Sequence, residues 1–61
     1  MEYKVYRNGK KEKSFNDPNK AVEHVTRAAS EAEPMSSFYI CWEKLGSWNF
    51  VAADLFEENY L

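Results

Sequence analysis

Tyr3 and Val5 alternate with Glu2 and Lys4 ahead of Asn8-Gly9, a strong short-range signal for a hairpin turn, so residues 2–7 and the mostly polar 10–15, ending in Phe15, read as its two strands. Two registers compete. A two-residue type I′ loop places Val5 opposite Glu12. A three-residue loop, Arg7-Asn8-Gly9 with Gly9 left-handed, places Lys4 opposite Glu12 and Tyr3 opposite Lys13, and it brings Phe15 onto the Tyr3/Val5 face. The second is preferred, because opposite charges facing across strands help slightly and a shared apolar face fixes register.

The period then changes. Ala21, Val22, Val25, Ala28, Ala29 and Ala32 recur at helical spacing and form one stripe, with Asn19, Glu23, His24, Arg27, Ser30 and Glu31 away from it. The spacing predicts a helix over 18–32. Asp17 is its N-cap and Pro18 its first residue, where a missing N–H costs nothing. Glu23–Arg27 and Arg27–Glu31 are i, i+4 pairs. Pro34 stops the helix by pushing Glu33 toward extended geometry.

Residues 38–43 and 47–52 read as a second hairpin around Lys44-Leu45-Gly46, with Gly46 left-handed. That register pairs Trp42 with Trp48, Ile40 with Phe50 and Phe38 with Ala52 on one face, the expected floor for the Ala/Val helix. Tyr39, Cys41, Asn49 and Val51 take the other face. In residues 53–61, Asp54 followed by Glu57 resembles a capping box for a short C-terminal helix; an extension of the last strand is the alternative. The expected fold is α+β in the order β-β-α-β-β: an antiparallel sheet with one helix on one face, in a single domain spanning 1–61.

Composition sharpens this picture at one point. Ten of the 61 residues are aromatic. A domain of this length buries only about 60% of the surface its unfolded chain exposes, so some aromatic side chains are expected to face a partner. Cys41 is the only cysteine, so there is no internal disulfide and no Cys/His cluster for zinc. No apolar run approaches the roughly 20 residues of a membrane span, and Met1-Glu-Tyr-Lys-Val-Tyr has no apolar core of the signal-peptide kind. The expectation is a cytoplasmic protein with no membrane association. Net charge is −2, but residues 1–15 hold five basic and two acidic side chains, whereas 16–61 hold three basic and eight acidic. Net −2 is too mild for a mimic of DNA.

Candidate chemistry is sparse. His24, the only histidine, falls on the polar side of the helix with no orienting group or nucleophile evident, and reads as a surface residue. Cys41 lies mid-strand between Ile40 and Trp42 and reads as a small, at least half-buried hydrophobe. Asp54, Glu57 and Glu58 read as solvated acids. The two glycines both sit in hairpin turns, so no phosphate-binding loop exists, and no Walker, Rossmann, HExxH or EF-hand pattern appears. No catalysis and no cofactor are expected.

Two binding readings remain. The aromatic surplus points to a protein partner contacted by Tyr6, Tyr39, Phe56 and Tyr60, with Glu57 and Glu58 on the rim; a homodimer would satisfy the same surplus. The alternative is nucleic acid, held by Lys4, Arg7, Lys10, Lys11 and Lys13 of the first hairpin, where basic residues interleave with Tyr3, Tyr6 and Phe15. Lysines on an edge strand also serve simply to block sheet-to-sheet aggregation.

The run Tyr3-Lys-Val-Tyr-Arg-Asn-Gly-Lys-Lys, then Phe15, then an alanine-rich helix opening near Asn16-Asp-Pro, resembles very short accessory proteins of bacteriophages. The resemblance covers residues 3–32 and transfers no functional residue. It implies an inhibitor or adaptor that binds a host protein.

Overall fold

The computed structural model describes residues 1–31 and 36–61. In chain order the elements are β1 (Tyr3–Arg7), β2 (Lys10–Phe15), α1 (Pro18–Glu31), β3 (Phe38–Lys44), β4 (Ser47–Ala52) and α2 (Ala53–Tyr60). The strands form one antiparallel sheet in the order β2-β1-β3-β4. The fold is α+β, as the residue pattern predicts, with α2 following directly on the last strand.

The first hairpin corrects the expected register. Asn8 and Gly9 both have positive φ, 52° and 83°, so the loop has two residues and Arg7 faces Lys10. A β-bulge then shifts the pairing between Val5 and Tyr6, so that Val5 faces Lys13 and Tyr3 faces Phe15. Lys4 therefore lies opposite Ser14 and not Glu12. Tyr3 likewise faces Phe15 and not Lys13, but the expected sharing of one face by Phe15, Tyr3 and Val5 is reached after all, through one extra strand residue in place of a longer turn. The turn is pinned to the chain entering β3: Asn8 N donates to Ser37 O at 2.8 Å, and Ser37 N donates to Asn8 Oδ1 at 2.9 Å.

α1 begins as its sequence requires. Asp17 Oδ1 accepts from Asn19 N at 2.8 Å, an N-cap immediately before Pro18. Ala21, Val22, Val25 and Ala28 are buried, while Ala29, placed on the same stripe by spacing, is exposed. Ala32 and the stop at Pro34 lie outside the described residues. Among the described residues neither Glu23–Arg27 nor Arg27–Glu31 closes to an ion pair.

The second hairpin differs from expectation by one residue. Leu45 and Gly46 form a two-residue turn, both with positive φ, so Trp42 faces Asn49, Ile40 faces Val51 and Cys41 faces Phe50. A one-residue slip carries every side chain of the strand to the other face. Trp48 and Phe50 therefore leave the helix side, and Asn49 and Val51 enter it. The cause lies in α2. Phe56 of that helix is 1% exposed and fills the space those two side chains would have needed. Its ring packs on Trp42 at 5.0 Å and on Tyr3 at 5.9 Å between centroids. Phe56, expected at a partner-facing surface, is thus core. The expected capping box is also displaced: Ala52 occupies the N-cap without a side-chain bond, and Asp54 lies within the first turn, favourable to the helix dipole.

One core results, drawn from Val5, Ile40 and Trp42 of the sheet, Ala21, Val22 and Val25 of α1, and Ala53 and Phe56 of α2. Both helices therefore cover the same face, α1 over β1 and β2, α2 over β3 and β4. The small residues of α1 let it approach closely, while the aromatic bulk comes from Trp42 and Phe56. The other face of the sheet carries no helix among the described residues.

Candidate binding surface

The strand registers align side chains into rows across the uncovered face. Lys11, Tyr6, Tyr39 and Ala52 form one row; Ser14, Lys4, Cys41 and Phe50 form the next; Glu43 and Trp48 form a third. The aromatic members touch. Tyr39 and Phe50 stack at 4.9 Å with planes 9° apart, and Tyr6 meets Phe50 edge-on at 5.5 Å. Lys4 Nζ lies 4.8 Å from the centre of the Trp48 ring, a cation–π contact that crosses the face diagonally. Trp48 is 59% exposed, Phe50 54% and Tyr39 36%. Two large aromatic side chains more than half exposed, Trp48 and Phe50, on one face with the stacked Tyr39 are unusual for a surface with no partner.

The charge on this face is balanced. Lys4 and Lys11 project from it, and so does Glu43, with Glu2 beside it in a shallow groove that also includes Trp48. The remaining basic residues of the first hairpin are dispersed. Arg7 lies on the helix side, its guanidinium 5.0 Å from the Phe38 ring. Lys13 lies over Phe15, also on the helix side, and Lys10 closes the turn. Arg7, Lys10 and Lys11 line one groove at the turn together with Glu12, whereas Lys4 and Lys13 lie on opposite faces, so the five do not all converge on one surface.

The expected protein-binding residues are divided as well. Tyr6 and Tyr39 stand together on the uncovered face. Tyr60, though 54% exposed, packs on Trp42 at 5.0 Å and on Phe56 at 5.5 Å, in the helix layer. Glu57 and Glu58 are exposed on the same helix. Trp48 and Phe50, expected on the helix side of the sheet, take the place of Phe56 and Tyr60 beside Tyr39. The signal that would have found them is the dipeptide Leu45-Gly46 read as a two-residue loop.

His24 is not a plain surface residue. Its Nε2 lies 2.7 Å from Glu12 Oε2, and its ring rests 5.5 Å from that of Phe15. Arg7 Nη2 donates to Glu12 Oε2 at 3.2 Å. Arg7 Nε comes within 2.9 Å of Oε1 but off the N–H axis, so that contact is Coulombic and not a directed hydrogen bond. The β-bulge aims Glu12 at α1 and lets it join both partners. Cys41 is half-buried on the opposite side of the sheet, so the thiol and the imidazole do not meet. Among the described residues no three His, Cys, Asp or Glu side chains group as metal ligands, and no helix is long and apolar enough to cross a membrane.

Comparison with models of protein families, with curated proteins and with solved structures found no match to this chain.

Proposed function

We propose that this chain is a non-catalytic protein-binding module whose contact surface is the uncovered face of its sheet. The observation that carries the reading is the exposed aromatic cluster of Tyr39, Trp48 and Phe50, with Tyr6 at its side. Aromatic side chains bring large contact area at low entropic cost and are enriched among the residues that dominate binding energy. The balanced charge of the same face suits a protein partner better than a phosphate backbone, which asks for clustered cations. Following the resemblance to short phage accessory proteins, the partner would be a host protein that binding inhibits or recruits. The acidic Glu57 and Glu58 stand on the other side of the molecule and have no part in this contact.

The test is an affinity capture from bacterial lysate with the parent chain and with a Trp48→Ser/Phe50→Ser variant of equal thermal stability, each with and without nuclease. One protein captured stoichiometrically by the parent, retained after nuclease and lost with the variant, supports the reading. Capture that disappears on nuclease treatment, or that ignores the two substitutions, overturns it.

A further inference from the structure

The two edges of the sheet are built differently. β2 presents Lys10, Lys11, Glu12 and Lys13, and the β1–β2 ladder is broken by a bulge. Charged side chains and bulges are the devices by which natural sheets refuse further strands. β4 has the same length, six residues, and none of these devices. Ser47-Trp-Asn-Phe-Val-Ala contains no charge and no proline, and its register with β3 is unbroken from Ser47 to Ala52. It lies at the outer end of the strand order, so among the described residues its outward backbone groups have no strand beside them.

We propose that β4 pairs antiparallel with β4 of a second copy of this chain, joining two four-stranded sheets into one of eight strands about a two-fold axis. A chain with a single receptive edge can add only one neighbour, so assembly closes at two; a second receptive edge would allow an open fibre, and β2 forbids it. The side chains also select a register. A two-fold axis normal to the sheet pairs residues that share a face. With Asn49 opposite Asn49 of the second copy, Trp48 of each chain faces Phe50 of the other, giving two aromatic cross-strand pairs. With Phe50 opposite Phe50, Trp48 would face Ala52, and only one aromatic pair would form. The first register is therefore favoured. It continues the aromatic cluster from one uncovered face onto the next, so that Tyr39, Phe50 and Trp48 of both copies form one surface. The dimer does not rest on the binding function proposed above: its contact is the strand edge, and Trp48 and Phe50 of the face serve only to choose its register.

Sedimentation equilibrium from about 1 µM to about 1 mM tests the association. The mass is expected to rise from 7.2 kDa toward twice that value. Asn49→Lys sets two like charges on the axis without touching the aromatic face, and it should raise the dimer dissociation constant by about tenfold or more. A second measurement reads the register and does not depend on that variant folding. Directly opposed residues on antiparallel strands have Cα atoms about 4.5–5.5 Å apart, within disulfide range. Under mild oxidation Cys41→Ser/Asn49→Cys should therefore form a disulfide-linked dimer. Cys41→Ser/Ser47→Cys should not, because the two thiols would stand roughly 13 Å apart along the strands. A chain that remains monomeric over the whole range overturns the proposal. So does a dimer that cross-links equally from either position, or one indifferent to Asn49→Lys but lost with Tyr39→Lys. That last result would indicate face-to-face packing and would bear on the binding face instead.

Discussion

Both hairpin turns ask the same conformation of different residues. The left-handed position ahead of glycine is held by Asn8 in one turn, at φ 52°, and by Leu45 in the other, at φ 53°. Asparagine tolerates that region; a leucine there carries a cost of about 1–2 kcal/mol. Leu45 is 96% exposed and so recovers little of that cost by packing. Leu45→Asn should stabilise the domain by about 1 kcal/mol, a rise in melting temperature of about 4–8 °C for a chain of this size. A fall in melting temperature would mean that the leucine makes a stabilising contact the exposed position does not suggest. Asn8 does two jobs, and they can be separated. Asn8→Gly keeps the turn conformation but loses the acceptor for Ser37 N, and should cost about 1 kcal/mol in urea denaturation. Asn8→Ala loses the left-handed preference as well and should cost about 1 kcal/mol more.

At the level of elements, each hairpin and the first helix were legible, and so was the helix start at Asp17-Pro18. Both registers were not. Register is a choice between competing turns, and each turn is decided by two or three residues whose preferences are weak beside tertiary packing. In the first hairpin the bulge at Glu12 supplies the shared apolar face expected from a longer loop. In the second, the strand residues alone favour placing Trp42, Trp48, Ile40 and Phe50 together. What reverses that preference is Phe56, six residues beyond Phe50, in a segment whose helical signal was ambiguous. The candidate surface was therefore only half legible: Tyr6 and Tyr39 follow from strand alternation, whereas Trp48 and Phe50 depend on a helix that competes for the other face. Truncation measures this directly. Phe56→Ala should cost about 3–5 kcal/mol, enough to unfold much of a small domain, because the cavity opens between Tyr3 and Trp42. Phe50→Ala should change stability by about 1 kcal/mol or less, the loss of one stacked and one edge-on contact at an exposed site. Equal losses in thermal denaturation would restore the register in which Phe50 is core.

For the whole molecule, the proposed binding face implies a kind of force that would hold a partner to it. The basic character of residues 1–15 suggests an electrostatic surface when read along the chain. Folding breaks it up, since strand alternation and the bulge send Arg7, Glu12 and Lys13 to the helix side and leave Lys4 and Lys11 on the other, with Glu43 nearby. Only Arg7, Lys10 and Lys11 stay together, around the turn, and Arg7 there is already paired with Glu12, which leaves few free cations for a run of phosphates. Affinity should then come from aromatic burial, which salt does not screen. Between 50 mM and 200 mM salt, affinity for a protein partner should therefore change by no more than about threefold, whereas a protein making six to ten phosphate contacts loses about 10³–10⁵ over that range. Isothermal titration at several salt concentrations separates the two cases. A steep loss, together with weakening by Lys10→Ala, Lys11→Ala and Lys13→Ala, would return the first hairpin to the centre of the function. A shallow dependence that disappears with Trp48→Ser/Phe50→Ser would assign binding to the uncovered face, because the same two side chains would then set the affinity and its insensitivity to ions.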